Sequence, residues 1–209
     1  MVTRLRLAMI GCGRIADFHA HAFKEVGFDL SAICSRRGSA RSQPFADRHG
    51  IPRVFENVPQ LLENREHWDG LLIAVPVAET LQVLRKSMET GAPILVEKPI
   101  AFRSEDLELI RHKKYPVIVG YNRRFYRTVQ RARDLASVSS SVIAEMTFPE
   151  SVMAPTAKSG DPQYLRPYFS NSVHGLDMLR FIFGDLEIQS VQRITNENDY
   201  VLGFVALLS

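Results

Sequence analysis

The stretch LRLAMIGCGRIA at residues 5–16 predicts the fold of the N-terminal half of this chain. An apolar run leads into Gly11 and Gly13 and then into a helical pattern, the order of strand, turn and helix in a dinucleotide-binding βαβ unit. Gly11 allows the sharp turn, and Gly13 leaves room for a pyrophosphate to approach the backbone. Ala16 stands in the place of a third glycine and still lets the helix pack close to the strand. The free N–H groups at the start of that helix favour a phosphate.

Composition excludes several other classes of protein. The chain has 209 residues, 45% of them hydrophobic, and a net charge of +3, which is enough for one large domain or two small ones. So mild a positive excess, with no aromatic side chains interleaved with a basic stripe, does not predict nucleic-acid binding. The basic clusters at 111–114 and 123–133 are interpreted as helix ends and solvated faces. No run of about 18 apolar residues predicts a membrane span. The apolar segment near the start is broken by Arg6 and is too short for a signal peptide.

The two cysteines, Cys12 and Cys34, lie in the glycine turn and at the end of the next predicted strand. They have neither a CxxC pattern nor a metal-ligand spacing, so we expect small, reduced and mostly buried residues and no metal site. Reduced thiols favour a cytoplasmic location.

Strand and helix patterns alternate through residues 1–121. Strands are predicted at 5–10, 29–34, 54–55, 70–75, 94–96 and 117–120. Helices are predicted at 15–26, 39–49, 59–64, 79–90 and 104–112, the second starting late because Pro44 suits a first turn. This alternation predicts an α/β fold, a doubly wound parallel sheet with right-handed crossovers, as a first domain over 1–121.

The pattern changes after residue 121, and we predict a smaller α+β domain with a mostly antiparallel sheet over 122–209. Its predicted elements are a basic helix at 124–135, a strand at 142–148, a long polar loop at 149–167, a helix at 172–183 and paired strands at 186–194 and 200–208. The chain ends on an apolar strand. We therefore expect another subunit to complete this sheet in a homo-oligomer, or the sequence to be a truncated form of something longer.

Four segments in this order and spacing resemble the glucose–fructose oxidoreductase / inositol dehydrogenase (Gfo/Idh/MocA) family. They are GCGRIADFH at 11–19, EKP at 97–99, YNRRF at 121–125 and HGLD at 174–177, and the resemblance covers almost the whole chain. It implies a Rossmann domain followed by an α+β domain with a large open sheet. It also implies oxidation or reduction of a sugar or cyclitol carbon with NAD or NADP, and assembly through that sheet.

The resemblance implies catalytic roles for Lys98 and His174. Lys98 follows a predicted strand at the carboxyl end of the parallel sheet, where an ammonium can hydrogen-bond a reacting oxygen, stabilise negative charge or relay a proton. The alternative is a surface lysine in a turn before Pro99. His174 would face the substrate as a general base or hydrogen-bond donor, a task that suits histidine because the ordinary pKa of this residue type lies near neutrality. The alternative is a histidine packed against the first domain.

Arg124, Ser170 and Asp177 are the other predicted substrate-binding residues. Asp177 lies one turn after His174. The family commonly has an aspartate where this chain has Ser170, which can hydrogen-bond but cannot act as a carboxylate. Either Lys98 and His174 suffice, or the substrate is unusual, or catalysis has been lost. Arg124 is interpreted either as a contact to cofactor or substrate or as part of an interdomain ion pair.

The end of the second strand favours NADP over NAD. An acidic residue there would hold a ribose 2′-OH, whereas Ser35, Arg36 and Arg37 suit a 2′-phosphate, and one arginine can stack on adenine. If both arginines are simply solvated, the preference stays open. The remaining predicted cofactor-binding residues are Gly11, Gly13, Arg14, Ile15, Val75, Pro76, Glu97 and Lys98.

Two further positions on the chain affect this prediction. After Pro76 the family often has Asn and His where this chain has Val77 and Thr80, so contacts there would come from backbone groups or Thr80. His19 matches a family position but is interpreted as structural, because it lies about two turns from the phosphate end. His21 is interpreted as a partly buried or surface histidine.

These observations predict an NAD(P)-dependent oxidoreductase acting on a sugar-like alcohol or ketone. The alternative is a dinucleotide-binding protein that is non-catalytic, regulatory or incomplete. A flavin protein is a weaker interpretation, because nothing beyond the glycine turn indicates it.

Overall fold

Six short strands of the N-terminal half form one parallel sheet in the computed structural model. They are β1 (Arg6–Ile10), β2 (Asp29–Cys34), β3 (Val54–Phe55), β4 (Gly70–Ile73), β5 (Ile94–Val96) and β6 (Val117–Val119). Their spatial order is β3-β2-β1-β4-β5-β6. Strands β2 and β3 lie on one side of β1 and strands β4 to β6 on the other, so the order of addition reverses between β1 and β4. The predicted doubly wound parallel sheet is therefore confirmed.

The structure describes residues 4–101, 103–111, 116–148, 172–195, 197 and 201–209. The chain consists of two compact units, Met1–Gly120 and Tyr121–Ser209. Cys12 and Cys34 are both free thiols. None of the helices in the described part combines the length and apolarity needed to cross a bilayer.

Five helices connect the strands of the N-terminal unit and begin close to their predicted starts. They are α1 (Arg14–Glu25), α2 (Ser42–His49), α3 (Val58–Glu63), α4 (Val77–Met88) and α5 (Ser104–Arg111). The late start of α2 is confirmed and puts Pro44 in the first turn, where it breaks no helical hydrogen bond. Asn57 caps α3 by accepting a 2.9 Å hydrogen bond from the backbone N–H of Gln60.

Side chains from alternate positions of the strands form a core on each face of the sheet. On β1, Met9 packs with buried residues of α1 and α2, whereas Ala8 and Ile10 pack with residues of α3 and α4. Ala16 and Ala20 of α1 are fully buried against the sheet. Their small side chains let α1 pack closely against the face of the sheet that holds Met9 and Ile33.

The Tyr121–Ser209 unit contains two helices and a two-stranded antiparallel sheet among its described residues. A 3-10 turn at Asn122–Phe125 precedes α6 (Arg127–Ser137), and α7 (Ser172–Phe183) is followed by β7 (Ile188–Thr195) and β8 (Val201–Leu208). The predicted pair of strands is confirmed. The basic helix starts three residues later than predicted because Tyr126 has extended backbone angles.

The strand predicted at 142–148 is wrong. Residues 141–148 pair with no strand in the described part of the chain. An alternating pattern forms a strand only when a neighbouring strand completes the hydrogen-bond ladder. Phe148 instead packs against Gly175 of α7. The predicted loop at 149–167 lies outside the described residues.

An ion pair joins β1 to β4 at the amino-terminal edge of the sheet. Asp69 accepts hydrogen bonds from the backbone N–H of Arg6 (2.9 Å) and from its guanidinium (2.8 and 3.1 Å). These bonds lower the pKa of Asp69 to about 2. Because this pKa is lowered, the stabilisation is complete above the unfolded pKa of about 3.9 and is lost as pH falls through about 2.

We predict that Asp69→Asn lowers the free energy of unfolding at pH 7 by about 1 kcal/mol, a value reduced for solvent screening because the pair is more than one-third exposed. Urea unfolding of both proteins between pH 7 and pH ~2 measures this difference, which should shrink as pH falls below the unfolded pKa of about 3.9. Equal stability at pH 7, or a difference independent of pH, would contradict the assignment.

Candidate functional site

The loops after four neighbouring strands are held side by side at the carboxyl edge of the parallel sheet. Backbone hydrogen bonds continue past the strand ends and fix the first residue of each loop. They run from Gly11 N to Cys34 O (2.9 Å), from Ala74 N to Ile10 O (2.9 Å), from Glu97 N to Ile73 O (2.9 Å) and from Gly120 N to Val96 O (2.8 Å). Ligands of open parallel sheets bind at this edge, next to the point where strand order reverses.

The glycine turn after β1 has no room for a side chain at Gly11. Its φ is +108°, and a Cβ there would collide with the backbone carbonyl of Ala74. Gly13 differs, because a Cβ there would meet no atom of the described residues within 4 Å. Gly13 is also the N-cap of α1, and no side chain in the described part of the chain caps this helix. The turn therefore offers free backbone N–H groups beside open space, which fits a diphosphate. Arg14 and Ile15 are both exposed at this helix start.

The loop after β2 contains the predicted phosphate-binding residues. Arg36 and Arg37 are exposed, and the guanidinium of Arg37 lies 3.9 Å from the carboxylate of Glu56. A hydrogen bond joins the hydroxyl groups of Ser35 and Ser42. Since Gly11 N bonds the carbonyl of the last residue of β2, this loop begins next to the glycine turn.

The loop after β4 passes into α4 through Val75 and Pro76. Val75 is half-buried and Pro76 is the exposed N-cap residue. Thr80 is 2% exposed, and its hydroxyl donates a 3.3 Å hydrogen bond to the carbonyl of Pro76. This hydroxyl is therefore already used within α4.

Glu97, which precedes Lys98, is held by a residue from α1. A 2.7 Å hydrogen bond joins His19 Nε2 to Glu97 Oε1, and both side chains are about four-fifths buried. A Cβ on Gly120 would lie 3.2 Å from the same oxygen, so the carboxylate also fits closely against the end of β6. Lys98 is half-buried and is joined to Pro99 by a cis peptide bond. Lys98 therefore follows a residue, Glu97, whose carboxylate is held by His19 on one side and lies against the end of β6 on the other.

The structural role predicted for His19 is consistent with its hydrogen bond to Glu97, a partner that the sequence does not indicate. The two residues are 78 positions apart. Nothing in the linear pattern indicates which residue a side chain on α1 reaches at the far loop.

A second cluster lies in the Tyr121–Ser209 unit around Arg124 and Asp177. Arg124 Nε donates a 2.7 Å hydrogen bond to Asp177 Oδ2, and Nη2 donates to Oδ1. This interaction raises the pKa of Arg124. Burial, and then the charge of Asp177, raise the pKa of Tyr121. The ring of Tyr121 meets that of His174 edge-on at 6.0 Å.

The cluster bears on the alternatives for Arg124 and His174. The ion pair of Arg124 exists, but its partner lies within the same unit. His174 and Asp177 are each 7% exposed, whereas the Arg124 side chain is 42% exposed. Arg124 is therefore the member of this cluster most accessible to a ligand.

Phe148 and Gly175 form a contact that the sequence did not predict. The Phe148 ring occupies the position of a side chain on Gly175, the residue after His174. Any substitution with a Cβ would displace that ring. The family segment HGLD therefore contains a glycine with a packing role.

The predicted site residues fall into two groups. The first is at the carboxyl edge of the parallel sheet and contains the glycine turn, the loops after β2 and β4, and the Glu97–Lys98 turn. The second contains Arg124, His174 and Asp177. Ser170 lies outside the described residues. The structure thus brings each group together within its own unit.

We predict that Asp177→Asn lowers the free energy of unfolding by about 1–3 kcal/mol, because it leaves Arg124 without its charged partner. Asp185→Asn is the matched control, since the Arg180–Asp185 pair in the same unit is largely exposed and should contribute less than about 0.5 kcal/mol. Urea unfolding measures both. Equal effects of the two substitutions would contradict the importance of the half-buried Arg124–Asp177 pair.

Comparison with known proteins identifies the family to which this chain belongs. Residues 5–121 match the family model GFO_IDH_MocA, described as oxidoreductase family, NAD-binding Rossmann fold. D-apiose dehydrogenase of Rhizobium rhizogenes is 28% identical in an alignment that covers 88% of this chain and 56% of that protein. Myo-inositol 2-dehydrogenase of Thermotoga maritima is 23% identical in an alignment that covers 90% of this chain and 57% of that protein.

A solved structure shows the same fold. Scyllo-inositol dehydrogenase from Lactobacillus casei, with bound NAD(H) and scyllo-inositol, aligns with a TM-score of 0.73 at 24% identity over 95% of this chain and 61% of that one. The chain spans about half the length of the curated relatives it matches. Because the family model covers more than half of its residues, the chain belongs to the Gfo/Idh/MocA oxidoreductase family, with an NAD-binding Rossmann fold.

Proposed function

We propose that this protein is an NAD(P)-dependent oxidoreductase that acts on a sugar-like alcohol or ketone. One observation supports this most strongly: an open glycine turn and the Glu97–Lys98 turn lie at the same carboxyl edge of the sheet. The first suits a diphosphate and the second brings a lysine to the same edge. The names of the relatives, which act on inositols and apiose, support the sugar-like class of substrate.

The chain binds the dinucleotide through the glycine turn and the start of α1. Backbone N–H groups near Gly13 contact the pyrophosphate, with Arg14 and Ile15 alongside. Val75 and Pro76 contact the cofactor from the loop after β4, and Glu97 and Lys98 from the loop after β5. The nicotinamide, when bound, supplies the acceptor or donor of a hydride.

Lys98 and His174 handle the substrate oxygen and its proton. The ammonium of Lys98 donates a hydrogen bond to this oxygen and stabilises negative charge on it. In alcohol oxidation His174 accepts the hydroxyl proton, and in ketone reduction it returns that proton. Arg124 uses two of its five N–H donors on Asp177, so the others can hold a second substrate hydroxyl. Ser170 and Asp177 complete the substrate-binding set.

NADP is the proposed cofactor, because the loop after β2 carries Ser35, Arg36 and Arg37 where an acidic residue would select NAD. The two free thiols suit a reducing, cytoplasmic location. Exposed apolar side chains on β7 and β8, among them Val191, Phe204 and Val205, support assembly of copies of the chain through this sheet.

A non-catalytic or regulatory dinucleotide-binding protein is the second candidate. The replacement of the family's aspartate by Ser170 favours it, since the site then lacks one carboxylate. Binding of NADPH without turnover of any polyol or ketose would support this candidate over the first.

We predict that Lys98→Ala lowers kcat by about 100-fold or more while the affinity for NADPH changes little, because the ammonium acts on the substrate oxygen. Turnover is followed by NADPH absorbance with inositols and aldoses as substrates. Lys86→Ala, an exposed lysine on α4, is the control. Undiminished turnover by Lys98→Ala would refute the assignment.

We predict that Arg36→Ala and Arg37→Ala each weaken NADPH binding by roughly tenfold, the effect of losing one charge-assisted hydrogen bond, and weaken NADH binding less, because only stacking on the adenine is common to both cofactors. Calorimetry with both cofactors measures this. Arg85→Ala is the matched control, because Arg85 is exposed near the end of α4, toward the opposite edge of the sheet. Equal losses for NADPH and NADH would contradict recognition of the 2′-phosphate.

A further inference from the structure

Three potential metal ligands meet where α1 packs beside α2. Asp17 and His21 are one turn apart on α1 and so share a face of the helix. His49 is the last residue of α2. His49 Nε2 lies 2.8 Å from Asp17 Oδ1, and His21 Nε2 lies 3.8 Å from Asp17 Oδ2. Each residue offers one ligand atom, and these atoms all lie within 4.8 Å of one another.

These distances are close to those of a tetrahedral zinc site. Imidazole nitrogen and carboxylate oxygen bind Zn²⁺ at about 2.0–2.2 Å, so ligands at tetrahedral corners are roughly 3.3–3.6 Å apart. One separation here is shorter than that and one is longer. Small rotations of the Asp17 and His21 side chains would bring both into range.

The site combines one rigid ligand with one accessible ligand. The His49 side chain is 1% exposed, and its ring packs 4.5 Å from that of Phe45, so it is held in place before any ion binds. His21 is 64% exposed. A metal ion can therefore enter from the side of His21 and keep water as its fourth ligand.

Arg48 competes with an ion for the same carboxylate. Its guanidinium lies 2.9 Å from Asp17 Oδ1, but the side chain is 60% exposed and can turn into solvent. A bound ion would displace both the Arg48 guanidinium and the hydrogen bond that joins His49 Nε2 to Asp17 Oδ1, so Arg48 sets how tightly the metal binds.

We propose that Asp17, His21 and His49 form a binding site for a divalent transition-metal ion of the zinc type. None of the three is among the residues proposed to hold the cofactor or the substrate. Bound there, the ion links α1 to α2 and stabilises the helix that follows the glycine turn. The site is independent of the proposed oxidoreductase activity, and its test needs no turnover.

The test is calorimetric titration of the full 209-residue chain, without a histidine tag, with ZnCl₂. We expect one ion per chain at pH ~7.5. Saturating Zn²⁺ should also raise Tm. With Co²⁺ the native chain should show the visible absorption of a tetrahedral complex.

Three single-residue variants decide the assignment. His21→Ala should weaken Zn²⁺ binding by about 10- to 100-fold and abolish the rise in Tm. Arg48→Gln should strengthen binding, because a competing cation is removed. His67→Ala is the matched control, because among the described residues His67 pairs with a single carboxylate, that of Glu66. This variant should bind Zn²⁺ as tightly as the native chain does. Absence of binding, or equal binding by the native chain and His21→Ala, would overturn the proposal.

Discussion

The close approach of Gly11 to the carbonyl of Ala74 is the constraint on which the rest of the structure depends. β1 lies between β2 and β4 in the sheet, and its chain leaves in close contact with the first residue after β4. The absence of a side chain at Gly11 makes that path possible. With a side chain there, the turn would have to lift from the sheet, and the start of α1 would move away from the loops after β4 and β5. The position of the phosphate-binding turn relative to Lys98 follows from this contact.

Helix α1 also connects the glycine turn to the loop after β5. α1 begins at the glycine turn and, two turns later, presents His19 to the carboxylate beside Lys98. The same helix therefore offers N–H groups to a diphosphate and fixes the turn that contains the proposed catalytic lysine. In the other unit, the ion pair with Arg124 fixes the side chain of Asp177, which lies three residues after His174. Each unit thus holds its proposed site residues with a buried or half-buried polar contact.

The sequence predicts what is local and fails where a distant partner decides. The parallel sheet, the late start of α2 and the β7–β8 pair follow from apolar spacing and from turn residues within each segment. The segment 142–148 has the alternation of a strand, but no described strand pairs with it. Arg124 and Asp177 are 53 residues apart, so that contact depends on the packing of the 3-10 turn and α7. His21 is one turn from Asp17 and predictable as its neighbour, whereas His49 is not.

The burial of Cys34 has a practical consequence. Its thiol is shut inside the core, and burial raises its pKa to about 12, so it stays protonated and unreactive at neutral pH. Cys12, the other cysteine of the chain, is partly exposed in the glycine turn. A maleimide dye should therefore label the native protein at one sulfur, directly where a nucleotide would sit. A dye on the natural Cys12 would therefore report whether the nucleotide site is occupied, without an engineered cysteine.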